Sequence, residues 1–194
     1  MTTEAGTGRT DEGGAEAASR LAAIVFDRDE APDAPLIAFL ETAKRRGARV
    51  AGLVQERACD ESSCAVHDVQ IRDLVTGDTL AIMQDLGREA TGCRVDPAAI
   101  AVAALWLGSA LAESPDLLVV NRFGRLESEG QGTLAEIGRA FAGGVPLIVC
   151  VPKRYLGAWD AFACGLDAKL TPTFEAIEGW WTALGSISGC GAAA

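Results

Sequence analysis

Six side chains in this sequence have the types and spacing to hold a ligand that is metal-like or anionic. Cys59 and Cys64 stand in ERACDESSC, and Cys93 stands in TGCRVD. The two stretches flank a segment that reads as a β-hairpin, and a hairpin returns its ends to one place, so the three thiols can converge. Three converging thiolates suit a soft metal ion such as zinc, or an iron–sulfur cluster. His67, the only histidine, follows Cys64 by three residues and would complete a Cys3His set. It reads equally well as a surface residue of a strand. The four residues between Cys59 and Cys64 also match the first pair of a plant-type ferredoxin site, but no third cysteine follows at the required spacing. Cys150 and Cys164 read as core thiols packed like small hydrophobes, and Cys190 lies in a glycine-rich tail. No nucleophile accompanies the lone histidine, so a hydrolytic triad is not supported and no catalytic residue is assigned.

The second group is cationic. Arg94 in GCRVDP, and Asn121, Arg122 and Arg125 in VVNRFGRLE, stand where loops leave the sheet. Ligands of open α/β sheets bind at the carboxyl ends of strands. Guanidinium forks match a tetrahedral oxyanion, and the Asn121 amide can donate beside them. The alternative is that Arg122 and Arg125 pair with Glu127 and Glu129 and fix the loop. Asp73 and Asp96 can act as hard ligands or orient the arginines, although Asp96 before Pro97 is already explained as a helix N-cap. A nucleotide-hydrolysing sheet of this kind usually carries a magnesium-binding acid after such a strand; here Asn121 and Arg122 take that place. The loop after the first strand, DRDEAPDAP, contains no glycine and no lysine but four acids, Asp27, Asp29, Glu30 and Asp33. A phosphate cradle needs the glycines and the lysine, so this loop is expected to repel triphosphates.

The elements that must position these residues follow from the apolar pattern. LAAIVF, VAGLVQ, DLLVV and PLIVCV are short continuous apolar runs, the signature of parallel strands buried on both faces. AVHDVQIRDL and DTLAIMQDL flank VTGD and form the hairpin. Amphipathic or apolar helical stretches separate the strands: LIAFLETAKRRGAR, a segment from Asp96 to about Glu113, GTLAEIGRAFAGG, YLGAWDAFACGL, and a last helix from Thr171–Pro172 that carries Trp180 and Trp181. Strands alternating with helices predict one α/β domain over residues 21–184, with a mainly parallel sheet, helices on both faces and an inserted β-hairpin. Residues 1–20 and 185–194 read as polar or frayed tails.

The chain has 194 residues, enough for one full core, with 49% hydrophobic and 23% charged residues. A net charge of −10 argues against a nucleic-acid or anionic-membrane partner. The opening MTTEAGTGRTDEGG has no apolar signal core, and no apolar run is long enough to span a bilayer. A cytoplasmic location is therefore expected, with the six cysteines reduced.

The order ARVAGLVQ, IRDLVTGDTLAIMQDLG, GCRVDP, VVNRFGRLESEG and AWDAF resembles a bacterial family related to P-loop nucleoside triphosphatases, some of whose members are encoded near molybdate-uptake genes. The resemblance spans about residues 21–184. It implies a P-loop-NTPase-like fold with a degenerate phosphate loop and a link to molybdenum. With the residues above, it leads to an expected binding protein rather than an enzyme. Its ligand would be a metal ion, an iron–sulfur cluster or a molybdate-type oxyanion, with Cys59, Cys64, Cys93 and His67 on the metal side and Asn121, Arg122, Arg94 and Arg125 on the anion side. A protein partner in metal trafficking would fit that role, and a homodimer stays open. Two other readings stand beside it: an NTPase with an unorthodox phosphate loop, and a non-catalytic interaction module.

Overall fold

The computed structural model describes residues 18–57, 69–84 and 95–188. Its elements run β1 (Leu21–Phe26), α1 (Asp33–Arg45), β2 (Val50–Arg57), β3 (Val69–Asp73), β4 (Thr79–Ala81), α2 (Pro97–Ala112), β5 (Leu117–Val120), α3 (Arg125–Ser128), α4 (Leu134–Ala142) and β6 (Leu147–Pro152). A 3-10 turn at Lys153–Tyr155 then leads into α5 (Leu156–Ala163), β7 (Asp167–Leu170) and α6 (Phe174–Ser188). The seven strands form one sheet in the order β4-β3-β2-β5-β6-β1-β7. β2, β5, β6, β1 and β7 are parallel, while β3 and β4 form the antiparallel hairpin at one edge.

The apolar strand runs work because each face of the sheet is covered. Leu21 and Ala23 of β1, Leu118 and Val120 of β5, and Leu147, Val149 and Val151 of β6 share a core with α2, α4 and α5. Their alternates, Ala22, Ile24, Leu117, Val119, Ile148 and Cys150, face α1 and α6. Period-two alternation thus divides one apolar run between two cores. At the middle of β2, Gly52 lies at φ +112°, and a β-carbon there would stand 2.1 Å from the Val119 carbonyl oxygen of β5. Only glycine lets these two central strands approach so closely.

Three expectations change. β7 was read as part of a loop because DAKL lacks an apolar run. It is an edge strand with half-exposed side chains, pairing Leu21 with Asp167 through Ile24 with Leu170. Arg125–Ser128 is a short helix within the supposed loop. Cys164 does not face the core: α5 ends at Ala163, and Cys164 takes a left-handed conformation (φ 50°) that leaves it exposed. Asp96, by contrast, caps α2 as expected, accepting from the Ala98 amide at 2.9 Å. No helix among the described residues is long and apolar enough to cross a membrane.

Gly52→Ala combines a forbidden φ with a backbone clash, so it should cost at least about 3 kcal/mol. Thermal unfolding followed by circular dichroism should show the midpoint lowered by more than about 6 °C. An unchanged midpoint would contradict the close β2–β5 approach.

Candidate functional site

The helix that leaves β1 covers one face of the sheet and the helix that leaves β6 covers the other, so a crevice forms at the carboxyl ends of these adjacent strands. A cavity of about 440 Å3 opens at this end of the sheet. Its lining includes Leu53 and Gln55 of β2, Ile71 of β3, Ile82, Met83, Val95 and Ile100, the loop from Asn121 to Glu127, and Pro152, Arg154 and Tyr155 after β6.

Asn121 directly follows β5 and is 2% exposed. Its backbone amide continues the sheet by donating to Leu53, and the Asn121–Arg122 peptide is cis. The Asn121 side-chain amide donates to Asp33 Oδ1 at 2.7 Å, and a terminal nitrogen of Arg122 donates to Asp33 Oδ2, also at 2.7 Å. The Arg122 guanidinium lies 4.9 Å from the centre of the Phe26 ring at the end of β1, a favourable cation–π distance. Asp33 is the first residue of α1, where helix polarity favours a negative charge. Asn121 and Arg122 therefore do receive an anion, but the anion is the protein's own carboxylate. The expectation that the Asn121 amide is available to a ligand gives way to this contact, as does the pairing of Arg122 with Glu127 or Glu129. Arg125 does pair with Glu129, at 2.7 Å.

Glu127 has another task. Its buried carboxylate accepts from the Gly124 amide at 2.9 Å, the Thr133 amide at 3.0 Å and the Thr133 hydroxyl at 3.1 Å. These three bonds fold residues 124–133 around one acceptor and hold the polar wall of the cavity. Asp73 is similarly structural, accepting from the Val75 and Thr76 amides in the hairpin turn. Arg154 rests over the Tyr155 ring at 4.9 Å, and no carboxylate among the described residues forms a salt bridge with it. Sequence reasoning passed over Arg154, although its position straight after a buried strand was a usable signal. It also passed over Asp33, which it counted as one acid of a repelling loop.

Cys59, Cys64, His67, Cys93 and Arg94 lie outside the described residues. Among the described residues, no group of three or more histidine, cysteine, aspartate or glutamate side chains is placed to hold a metal ion. Metal binding through cysteine ligands has no support from the described structure. Burial pushes the Cys150 thiol far above the ordinary range, with nearby Asp33 acting in the same direction and Arg122 opposing both. It is an inert core group.

The parallel sheet, its two helical layers and a crevice at the strand ends define an α/β fold of the P-loop nucleoside-triphosphatase type. The solution structure of a human cancer-related nucleoside triphosphatase superposes with a TM-score of 0.59 at 14% identity, covering 89% of this chain and 97% of that one. THEP1 from the hyperthermophile Aquifex aeolicus superposes with a TM-score of 0.54 at 13% identity, covering 85% and 96%. The chain itself belongs, through residues 21–180, to the family described as "Protein of unknown function (DUF2478)". It is also 36% identical over 163 residues to the molybdenum import ATP-binding protein ModC 2 of Bradyrhizobium diazoefficiens. That match covers 84% of this chain and 18% of the relative, so the chain spans less than a fifth of the protein it matches. The degenerate P-loop kinship and the molybdenum link expected from the sequence both stand on these matches.

Asn121→Asp would remove the donor to Asp33 and set two carboxylates against each other in a site that is 2% exposed. The expected loss is about 3 kcal/mol at neutral pH. A carboxylate pair holds a shared proton with a raised pKa, so its contact is present at low pH and lost as pH rises. The stability deficit against the wild type should therefore narrow from about pH 7 to about pH 5 in thermal melts. A variant as stable as the wild type at pH 7 would show that the contact with Asp33 does not hold the loop.

Proposed function

We propose that this domain binds a nucleotide with a short phosphate chain in the cavity at the carboxyl ends of β2, β5 and β6. The observation that carries the reading is the cavity's division into two walls. Ile71, Ile82, Met83 and Ile100 form an apolar wall, and Arg122, Arg125 and Arg154 approach from the opposite loops. Its volume of about 440 Å3 suits a small ligand. A base fits the apolar wall beside Tyr155, with Gln55 available to its polar edge, and a phosphate fits the arginines. The P-loop-type fold and the kinship with an ATP-binding protein of molybdenum import support the same ligand class.

The phosphate site is unorthodox. A chain of three phosphates reaching towards β1 would meet Asp27, Asp29, Glu30 and Asp33, so affinity should fall as phosphates are added. The loop has no glycine or lysine, and Asn121 replaces the acid that would hold magnesium. Binding without rapid hydrolysis follows. By analogy with the relative's printed role, the domain would serve as a nucleotide-responsive part of molybdate uptake. The relative's name also favours a second reading, in which the same arginines take a molybdate-type oxyanion. The buried Asn121 Oδ1, an acceptor with no hydrogen-bond partner, weighs against an oxyanion lying against Asn121.

Titration calorimetry with AMP, GMP, magnesium–ATP, molybdate and tungstate separates these readings. The monophosphates should bind, and more tightly than magnesium–ATP. Arg154→Ala should weaken them about tenfold to a hundredfold, the worth of a charge-assisted hydrogen bond, while leaving the melting temperature of the free protein nearly unchanged. Binding of molybdate alone would establish the second reading. Nucleotide binding indifferent to Arg154→Ala would place the ligand elsewhere.

A further inference from the structure

We infer that Asp33 is a built-in occupant of a phosphate subsite at the amino end of α1, displaced when a phosphate-bearing ligand binds. This rests on the nucleotide reading of the adjoining cavity. α1 has thirteen residues, begins at Asp33 and has no side-chain cap hydrogen bond at its start. Its first-turn amides and its dipole favour an anion there. The anion present is the Asp33 carboxylate, held by one bond from Asn121 and one from Arg122.

The receiving groups are only partly satisfied by it. Arg122 Nε and Asn121 Oδ1 are both buried and have no hydrogen-bond partner, although buried polar groups are normally paired. Asn121, 98% buried, and Arg122 both line the cavity, whereas Asp33 does not. These two side chains thus connect the cavity on one side with the helix terminus on the other. A carboxylate offers two oxygens and one charge. A terminal phosphate offers three oxygens and up to two charges, enough to take both nitrogens of the Arg122 fork and the Asn121 amide together. Asp33 retains 33% of its side-chain exposure, so it can turn out to water without unpacking α1.

The consequence is competition within one chain. Asp33 lowers the affinity for phosphate-bearing ligands by holding their place, and it leaves recognition of the rest of the ligand untouched. Calorimetry with AMP, inorganic phosphate and adenosine, which shares the base and sugar but lacks the phosphate, tests this on the full chain. Asp33→Ala should bind AMP about tenfold more tightly than the wild type or better, gain measurable affinity for inorganic phosphate, and leave adenosine binding unchanged. Asp33→Asn keeps an acceptor for Arg122 and should shift AMP affinity in the same direction, so it carries the test if the alanine variant folds poorly. Wild-type binding of AMP with equal or weaker affinity in the folded variants would overturn the occupancy of the subsite and leave the cavity reading standing. Failure of AMP and adenosine to bind wild type and variants alike would overturn both.

Discussion

The contact of Asp33 with Asn121 and Arg122 ties together parts of the chain nearly ninety residues apart. It joins the start of α1 to the end of β5, across the two strands that lie between them in the sheet. β1 supplies Phe26 as the surface on which Arg122 rests. In a P-loop-type sheet the place after β1 is where backbone amides would meet phosphate. This chain fills it with a loop of acids, and one of those acids has become a ligand of the neighbouring loop. The rest of the site follows: a cavity displaced towards β2 and the hairpin, and a basic wall drawn from β5 and β6 rather than from the loop after β1.

Much of the architecture could be read from amino-acid types because buried parallel strands leave few alternatives. LAAIVF, LLVV and LIVCV can be apolar on every residue only if helices cover both sides of the sheet, and both cores are present. The cap at Asp96 and Pro97 was legible for an equally local reason. β7 was not, because an edge strand needs no continuous apolar run and DAKL carries none. Cys164 misled because helical spacing places it on the inner face of α5, but the helix ends one residue earlier.

The site was legible in position and less so in partnership. Arginine and asparagine after a buried strand do mark the mouth of the crevice. Which carboxylate they meet depends on how α1 returns across the sheet, and no local pattern encodes that. Glu127 illustrates the same limit: three donors around one carboxylate cannot be inferred from its spacing to Arg122 or Arg125. The kinship with P-loop proteins, in contrast, is carried by the order of elements and survives the loss of the phosphate loop itself.

The packing of Phe123 against Trp159 gives the cavity an asymmetric mechanics. The rings meet edge to face at 5.4 Å, with Trp159 fully buried in α5 and anchored by its indole nitrogen to Asp167 of β7 at 2.9 Å. Phe123 follows Arg122 directly, while Arg154 and Tyr155 run straight into α5. Both arginine-bearing loops are therefore bolted to one helix, and that helix to an edge strand. They form the fixed jaw of the cleft, with its charges set in place before any ligand arrives. Adjustment to the shape of an occupant falls to the opposite jaw, where Met83 touches Val95 through a single isolated bridge rather than a continuous ladder.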